Sequence, residues 1–381
     1  MHRAPCFGNR KFVKQGKAIF LLVLVLLYAC TPDPAAGDFA APKLGAVTVE
    51  TEAFRVWISC PVSGSLSGIS HCGFRLDGSV QKEVPATISG GKLLAEVKGL
   101  AADSEYRVEA YLTNGEAVLT AEAVSFRTDA GPETVDIPDP VFRRYILANY
   151  DTNADEVLTV LEALTVSRIE VCTDSISSLR GIEKMERLQE LIAQGNWSHG
   201  WLHEIDLSGN PLLRCCKLDD NQLHTVDLSA NPLLEEFGIG GNPLLSIDFS
   251  HNPRLWSIGM NNVPLDYLPD MTFLPLESLH FDHVARFIPE DYFRHFPKMG
   301  GCNIGLYEGR HIDFSQCTQL NSVWCYGSPN LEELDLTAST CTVFDWIQAG
   351  DCPRLRHIYL RKGSTVNHLW KDDHTEIVYV E

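Results

Sequence analysis

The sequence predicts a multidomain, mainly β chain: a β-sandwich of about ninety residues, then a repeat solenoid with a helical N-terminal cap. Three observations predict it. Apolar and polar residues alternate with period two in short runs between Val47 and Phe126, the mark of half-buried antiparallel strands. Asp206, Asp227 and Asp248 then stand 21 positions apart, each followed by an apolar residue, a serine and, at Asn210, Asn231 and Asn252, an Asn-Pro pair; spacing that regular belongs to stacked coils, not to a single-core fold. Between the two regions, Phe142, Tyr145, Ile146 and Asn149 follow Asp139-Pro140 at helical spacing.

Residues 1–29 carry five basic side chains, no acid, and an apolar run from Ala18 to Tyr28, which reads as a secretory signal too short to span a bilayer. The run ends in Leu27-Tyr28-Ala29-Cys30, which resembles the lipobox of bacterial lipoproteins. The resemblance implies lipidation at Cys30, anchoring to the bacterial cell envelope, and a place in the outer membrane or on the cell surface; an ordinary cleaved signal with an incidental cysteine is the alternative. Residues 30–41 form a Pro- and Ala-rich tether. Removing the signal's five positive charges deepens the formal charge from −19 to −24. Nucleic acid is therefore excluded as a partner, since phosphate backbones demand clustered Lys and Arg. Contact with the membrane falls to the lipid, because anionic headgroups repel such a chain.

Residues 42–128 hold the alternating runs, among them Phe54-x-Val56-x-Ile58, Tyr106-x-Val108-x-Ala110-x-Leu112 and Val124-x-Phe126, with turn signals at Asp77-Gly78, Gly90-Gly91 and Asn114-Gly115. The segment from Leu100 to Tyr106 and the ending Val124-Ser-Phe126-Arg-Thr128 resemble the fibronectin type III pattern. That resemblance implies a tyrosine hydroxyl tied back to upstream backbone, and a spacer or docking role. Cys60 and Cys72 flank one predicted strand turn and either pair or remain free thiols.

Residues 129–138 are a proline-punctuated linker, and residues 139–201 hold the helical cap and a first repeat. Within the cap, Asp151-x-Asn153-x-Asp155-Glu156-Val157-x-Thr159-x-x-Glu162 resembles an EF-hand loop. It implies a structural calcium ion held by Asp151, Asn153, Asp155, the Val157 carbonyl and Glu162. The departure is Glu156, which stands where the turn wants glycine at positive φ. The alternative is a loop without metal.

Residues 202–381 are the solenoid. Leu234-x-x-Phe237-x-Ile239-x-x-Asn242-x-Leu244 matches the leucine-rich-repeat template, and Leu213-x-x-Cys216-x-Leu218-x-x-Asn221-x-Leu223 does so with one cysteine. The inward series Leu218, Ile239, Met260, Phe281, Ile304, Cys325 and Trp346 predicts two outward rows. One is Lys217, Gly238, Gly259, His280, Asn303, Trp324 and Asp345; the other is Asp219, Gly240, Asn261, Asp282, Gly305, Tyr326 and Ile347. An exposed Trp324–Tyr326 pair beside Asn303, His280, Asp282 and Asp345 suits a peptide or a sugar ring, since rings supply apolar area and a polar rim supplies orientation. Residues 285–310 depart from the period, an insertion expected to overhang that surface.

No GxSxG, HExxH or phosphate loop occurs, and the histidines are scattered, so the expectation is a protein that is not an enzyme. Two roles fit: a surface adhesion-type lipoprotein binding a protein or glycan through its solenoid, or a structural component of an envelope assembly with no separate ligand.

Overall fold

The computed structural model of the chain describes residues 41–196 and 200–381. Signal residues 1–29, Cys30 and nearly all of the tether lie outside the described residues. The chain divides into two units, residues 1–132 with 153–157, and residues 133–152 with 158–381.

The first unit contains two five-stranded antiparallel sheets. One runs in the order Lys43–Leu44, Arg55–Ser63, Lys92–Lys98, Thr87–Ser89, with Thr48–Thr51 also paired to Arg55–Ser63. The other runs Val124–Arg127, Glu105–Thr113, His71–Asp77, Lys82–Pro85, with Val118–Thr120 paired to Glu105–Thr113. Alternation buries Val56, Ile58, Leu93 and Val97 from the first sheet and Phe74, Leu76, Val108, Ala110 and Leu112 from the second in one shared core. At the Asn114-Gly115 turn, the Asn114 amide oxygen accepts from the Glu116 and Ala117 N–H groups at 3.0 and 2.8 Å, and Gly115 takes φ 93°. Cys60 and Cys72 lie on strands of different sheets and are not joined, and no disulfide links any two cysteines among the described residues.

The second unit is a parallel β-solenoid. Its ten-stranded sheet stacks Arg168–Cys172, Glu190–Gln194, Cys215–Lys217, Glu236–Gly238, Ser257–Gly259, Ser278–His280, Gly301–Asn303, Ser322–Trp324, Val343–Ala349 and Thr365–Lys371. The six middle strands, from Cys215–Lys217 to Ser322–Trp324, have three residues each, with the central one turned to the core. That inward row is Ile169, Leu191, Cys216, Phe237, Ile258, Leu279, Cys302, Val323 and Ile347, all buried. Leu369 continues the row in the last strand but is 41% exposed. The Asp-Leu-Ser-x-Asn-Pro half of each coil contributes Leu207, Leu228 and Phe249 to the same core. Farther along, Glu333–Asp335, His357–Arg361 and Glu376–Val380 form a separate three-stranded parallel sheet.

Buried asparagines tie coil to coil. The Asn231 amide donates to the carbonyls of Leu207 and Asn210 at 3.1 and 3.0 Å, and Asn252 repeats the pattern on Leu228 and Asn231 at 3.0 Å each. A second ladder runs through Asn221 and Asn242, the latter bonding Leu218 and Ile239 carbonyls at 2.9 Å. These bends lack a strand ladder, and the side chains supply the donors that buried carbonyls require.

Two expectations need correction. The 285–310 insertion does not form an overhang: Tyr292, Phe293 and Phe296 turn inward, and Phe293 packs on Phe281 and Phe314 with ring centroids 6.5 and 4.9 Å apart. In the Val343–Ala349 strand it is Ile347 that is buried and Trp346 that is outward and half-buried, the reverse of the expected facing. The step from Val323 to Ile347 is 24 residues, so counting in steps of 21 slips the register.

Helix Pro140–Tyr150 begins at Asp139, whose carboxylate accepts the N–H groups of Val141 and Phe142 at 2.9 and 3.0 Å and that of Ser177 at 2.9 Å. Phe142 and Ile146 from this helix enter the solenoid core.

Candidate functional site

The outward face of the ten-stranded sheet carries the predicted rows. Register aligns Lys217, Gly238, Gly259, His280, Asn303 and Trp324 across successive strands. Gln348 is the next member of that row, in the place expected of Asp345. Asp345 lies three residues earlier in that strand, on the far side of the row that holds Ser322 and Trp346. Backbone bonds from Gly300 N–H to Glu277, Asn321 N–H to Gly300 and Asp345 N–H to Asn321, at 2.8, 2.8 and 2.9 Å, set Glu277, Gly300, Asn321 and Asp345 in line.

Of the six predicted ligand contacts, Asn303, Asp282, Tyr326, His280 and Trp324 come together. Three of them serve the scaffold first. Asp282 is buried, accepting the Asn262 N–H at 3.0 Å and the Tyr326 hydroxyl at 2.9 Å. Tyr326 lies half-buried on Gly305, where a Cβ would meet its ring at 2.8 Å. Burial first, and the Asp282 charge after it, push the Tyr326 hydroxyl up to about 12. Asn303 is buried as well and holds the Gly305 N–H at 3.0 Å.

Sequence reasoning missed the aromatic run that Trp324 belongs to. His280 and Trp324 have ring centroids 5.6 Å apart, Trp324 and Trp346 6.3 Å at 26°, and Trp346 and His368 3.9 Å at 12°. Trp324, Trp346 and His368 recur at 22-residue intervals, a signal present in the sequence but hidden by a search in steps of 21. Beside the run the floor is bare: Ser278, Gly300, Gly301 and Ser322 carry almost no side chain, and a Cβ on Gly301 would come within 4.0 Å of the Trp324 ring. The Trp324 indole N–H is buried without an acceptor.

In the EF-hand-like loop, Glu156 takes φ 67° despite its side chain, which costs on the order of 1 kcal/mol. Asp155 accepts the Val157 N–H at 3.0 Å and the Asn153 amide at 2.9 Å. Asp151 is the C-cap of helix Pro140–Tyr150. Both Glu162 oxygens are engaged by protein donors: one takes the Thr152 N–H and hydroxyl at 2.8 and 2.7 Å, the other the Thr159 N–H and hydroxyl at 3.1 and 3.0 Å. Burial alone would raise its pKa, but these bonds outweigh burial and hold it below the usual carboxylate range. The donor set therefore meets a calcium ion only if Glu162 gives up its capping box. Among the described residues no group of three or more His, Cys, Asp or Glu side chains is arranged to hold a metal.

No family model and no curated protein matches the chain. Among solved structures it is similar to an internalin, inlF, from Listeria monocytogenes, with 14% identity and a TM-score of 0.41 over 66% of this chain and 78% of that one. It is also similar to the functional domain of InlJ from Listeria monocytogenes, described as including a cysteine ladder, with 18% identity and a TM-score of 0.23 over 61% and 70% of the two chains. A third likeness, to the leucine-rich repeat domain of APL1B, has 18% identity and a TM-score of 0.28 over 50% and 54%. Likeness this distant assigns no family; the solenoid is defined by its own register.

Proposed function

We propose that the chain is a lipid-anchored protein of the bacterial envelope or cell surface whose solenoid sheet holds a partner protein, with the first unit as a fibronectin type III-like spacer. The observation that carries the reading is the aromatic run from His280 to His368 on the outward sheet face, next to a floor kept clear of side chains. Folding alone gives no reason to place two tryptophans on the solvent side of a sheet whose core is already filled. For the spacer, the Tyr106 hydroxyl accepts the Ala101 N–H at 3.0 Å while Leu100 is buried, in keeping with a tyrosine tied to upstream backbone. The anchor rests on the sequence around Cys30.

The test fills the bare floor. Ser278→Arg with Gly301→Arg adds bulk to the outward face and leaves the inward row untouched. Capture of envelope and surface proteins by the full chain should lose its stoichiometric partner in this variant and keep it when arginine replaces Glu116 in the first unit. Identical partners for all three proteins would remove the sheet-face role and favour a structural part in an assembly. For the loop at Asp151–Glu162, the expected outcome is equal melting temperatures in 1 mM calcium and in chelator. A rise with calcium would show that the ion displaces the capping box.

A further inference from the structure

The outward face changes in charge along its length. In its early strands the cations are matched: Arg168 bonds Glu170 and Glu190, Arg214 meets Glu235 at 2.7 Å, and Lys217 meets Glu236 at 3.3 Å. Farther on, Glu277 and Asp345 are exposed, and neither has a basic side chain within ion-pair distance among the described residues. They lie in one row, three strands apart, with Gly300 and Asn321 between them. At a strand spacing of about 4.8 Å the two carboxylates are anchored roughly 14 Å apart. Gly301 and Ser322 line the floor beside that row, Trp346 closes the same floor row at its far end, and Trp324 forms the side wall.

Resting on the sheet-face reading above, we propose that this trough takes an extended, basic segment of the partner protein, with two arginines four residues apart. In an extended chain residues i and i+4 lie on the same side about 13–14 Å apart, which matches the spacing of Glu277 and Asp345. Glycines in the floor let the segment's backbone approach closely. Arginine is the residue chosen because its guanidinium pairs with a carboxylate in fork geometry and at the same time packs against an indole. A neutral sugar's hydroxyls would donate to the carboxylates but leave both negative charges unpaired, and an acidic segment is repelled by a chain of formal charge −19.

The probe is acetyl-Arg-Gly-Ser-Gly-Arg-amide, titrated into the full chain at low salt and followed by tryptophan fluorescence. Saturable binding is expected, at least tenfold tighter than for the peptide with citrulline at both arginine positions. Glu277→Gln with Asp345→Asn should weaken it about tenfold; Glu116→Gln with Glu122→Gln, which removes the same charge from the first unit, should leave it unchanged. Equal binding of the citrulline peptide, equal losses in the two double variants, or saturation by a linear neutral oligosaccharide in place of the peptide would each overturn the proposal. A partner protein that is lost on filling the floor but is indifferent to Glu277→Gln with Asp345→Asn would leave the sheet-face role standing and remove the arginine reading alone.

Discussion

Asn231 has no side-chain exposure and serves two coils at once, its amide holding carbonyls of Leu207 and Asn210 while its own amide oxygen accepts nothing. An alanine there removes two hydrogen bonds and leaves the two carbonyls only their backbone donors, the N–H groups of Asn210 and Leu213, which costs about 2 kcal/mol. Urea unfolding should show Asn231→Ala destabilised by that amount, and Asn231→Asp no better, since a carboxylate has no N–H to give. Residues of this kind are legible in the sequence. A polar side chain that recurs every 21 positions between apolar ones has one structural reason to be there. Trp346 was not legible, because its facing depends on how many residues the preceding bend contains, and bends tolerate additions that strands do not.

A coil turns its corner with an aspartate whose carboxylate accepts the N–H two residues on. Asp206, Asp227 and Asp248 do so to Ser208, Ser229 and Ser250 at 2.9 Å, Asp270 to Thr272 at 3.0 Å and Asp313 to Ser315 at 2.8 Å. Hydrogen bonds from those serines and threonines lower the pKa of all five carboxyls. The sign follows from linkage. A carboxyl with a lowered pKa in the folded state adds stability above its unfolded value of about 3.9 and loses it as pH falls through the folded value. Melting temperature should therefore hold level between pH 7 and pH 5 and drop below about pH 4. Asp227→Asn with Asp248→Asn, which keeps the acceptor and removes the titration, should make that drop shallower. The repeating half-coil was visible in the sequence because its turn chemistry is local. The aromatic run was less visible because it is assembled across coils: His280 touches Trp324 over an intervening strand, and no local pattern records such a contact.

Across the solenoid, neighbouring coils offer one another the same surface. Strand Cys215–Lys217 presents to Glu236–Gly238 the backbone register that Glu236–Gly238 presents in turn to Ser257–Gly259, and the asparagine of each coil donates to the same two positions of the coil before it. Excision of residues 231–251 would therefore bring Ser257–Gly259 beside Cys215–Lys217 and seat Asn252 where Asn231 was. That shortened chain should keep its circular-dichroism spectrum and unfold cooperatively, whereas removal of residues 231–241, half a coil, should not, because it takes out the Glu236–Gly238 strand and leaves its return half without a place in the stack. The ladder thus makes length a heritable variable that changes in whole steps. Unequal recombination between near-identical coils can lengthen or shorten the early part of the sheet, in which the phrase is best preserved, and leave the aromatic end intact. Related genes should then differ in reach by multiples of one coil while keeping the same surface for their partner.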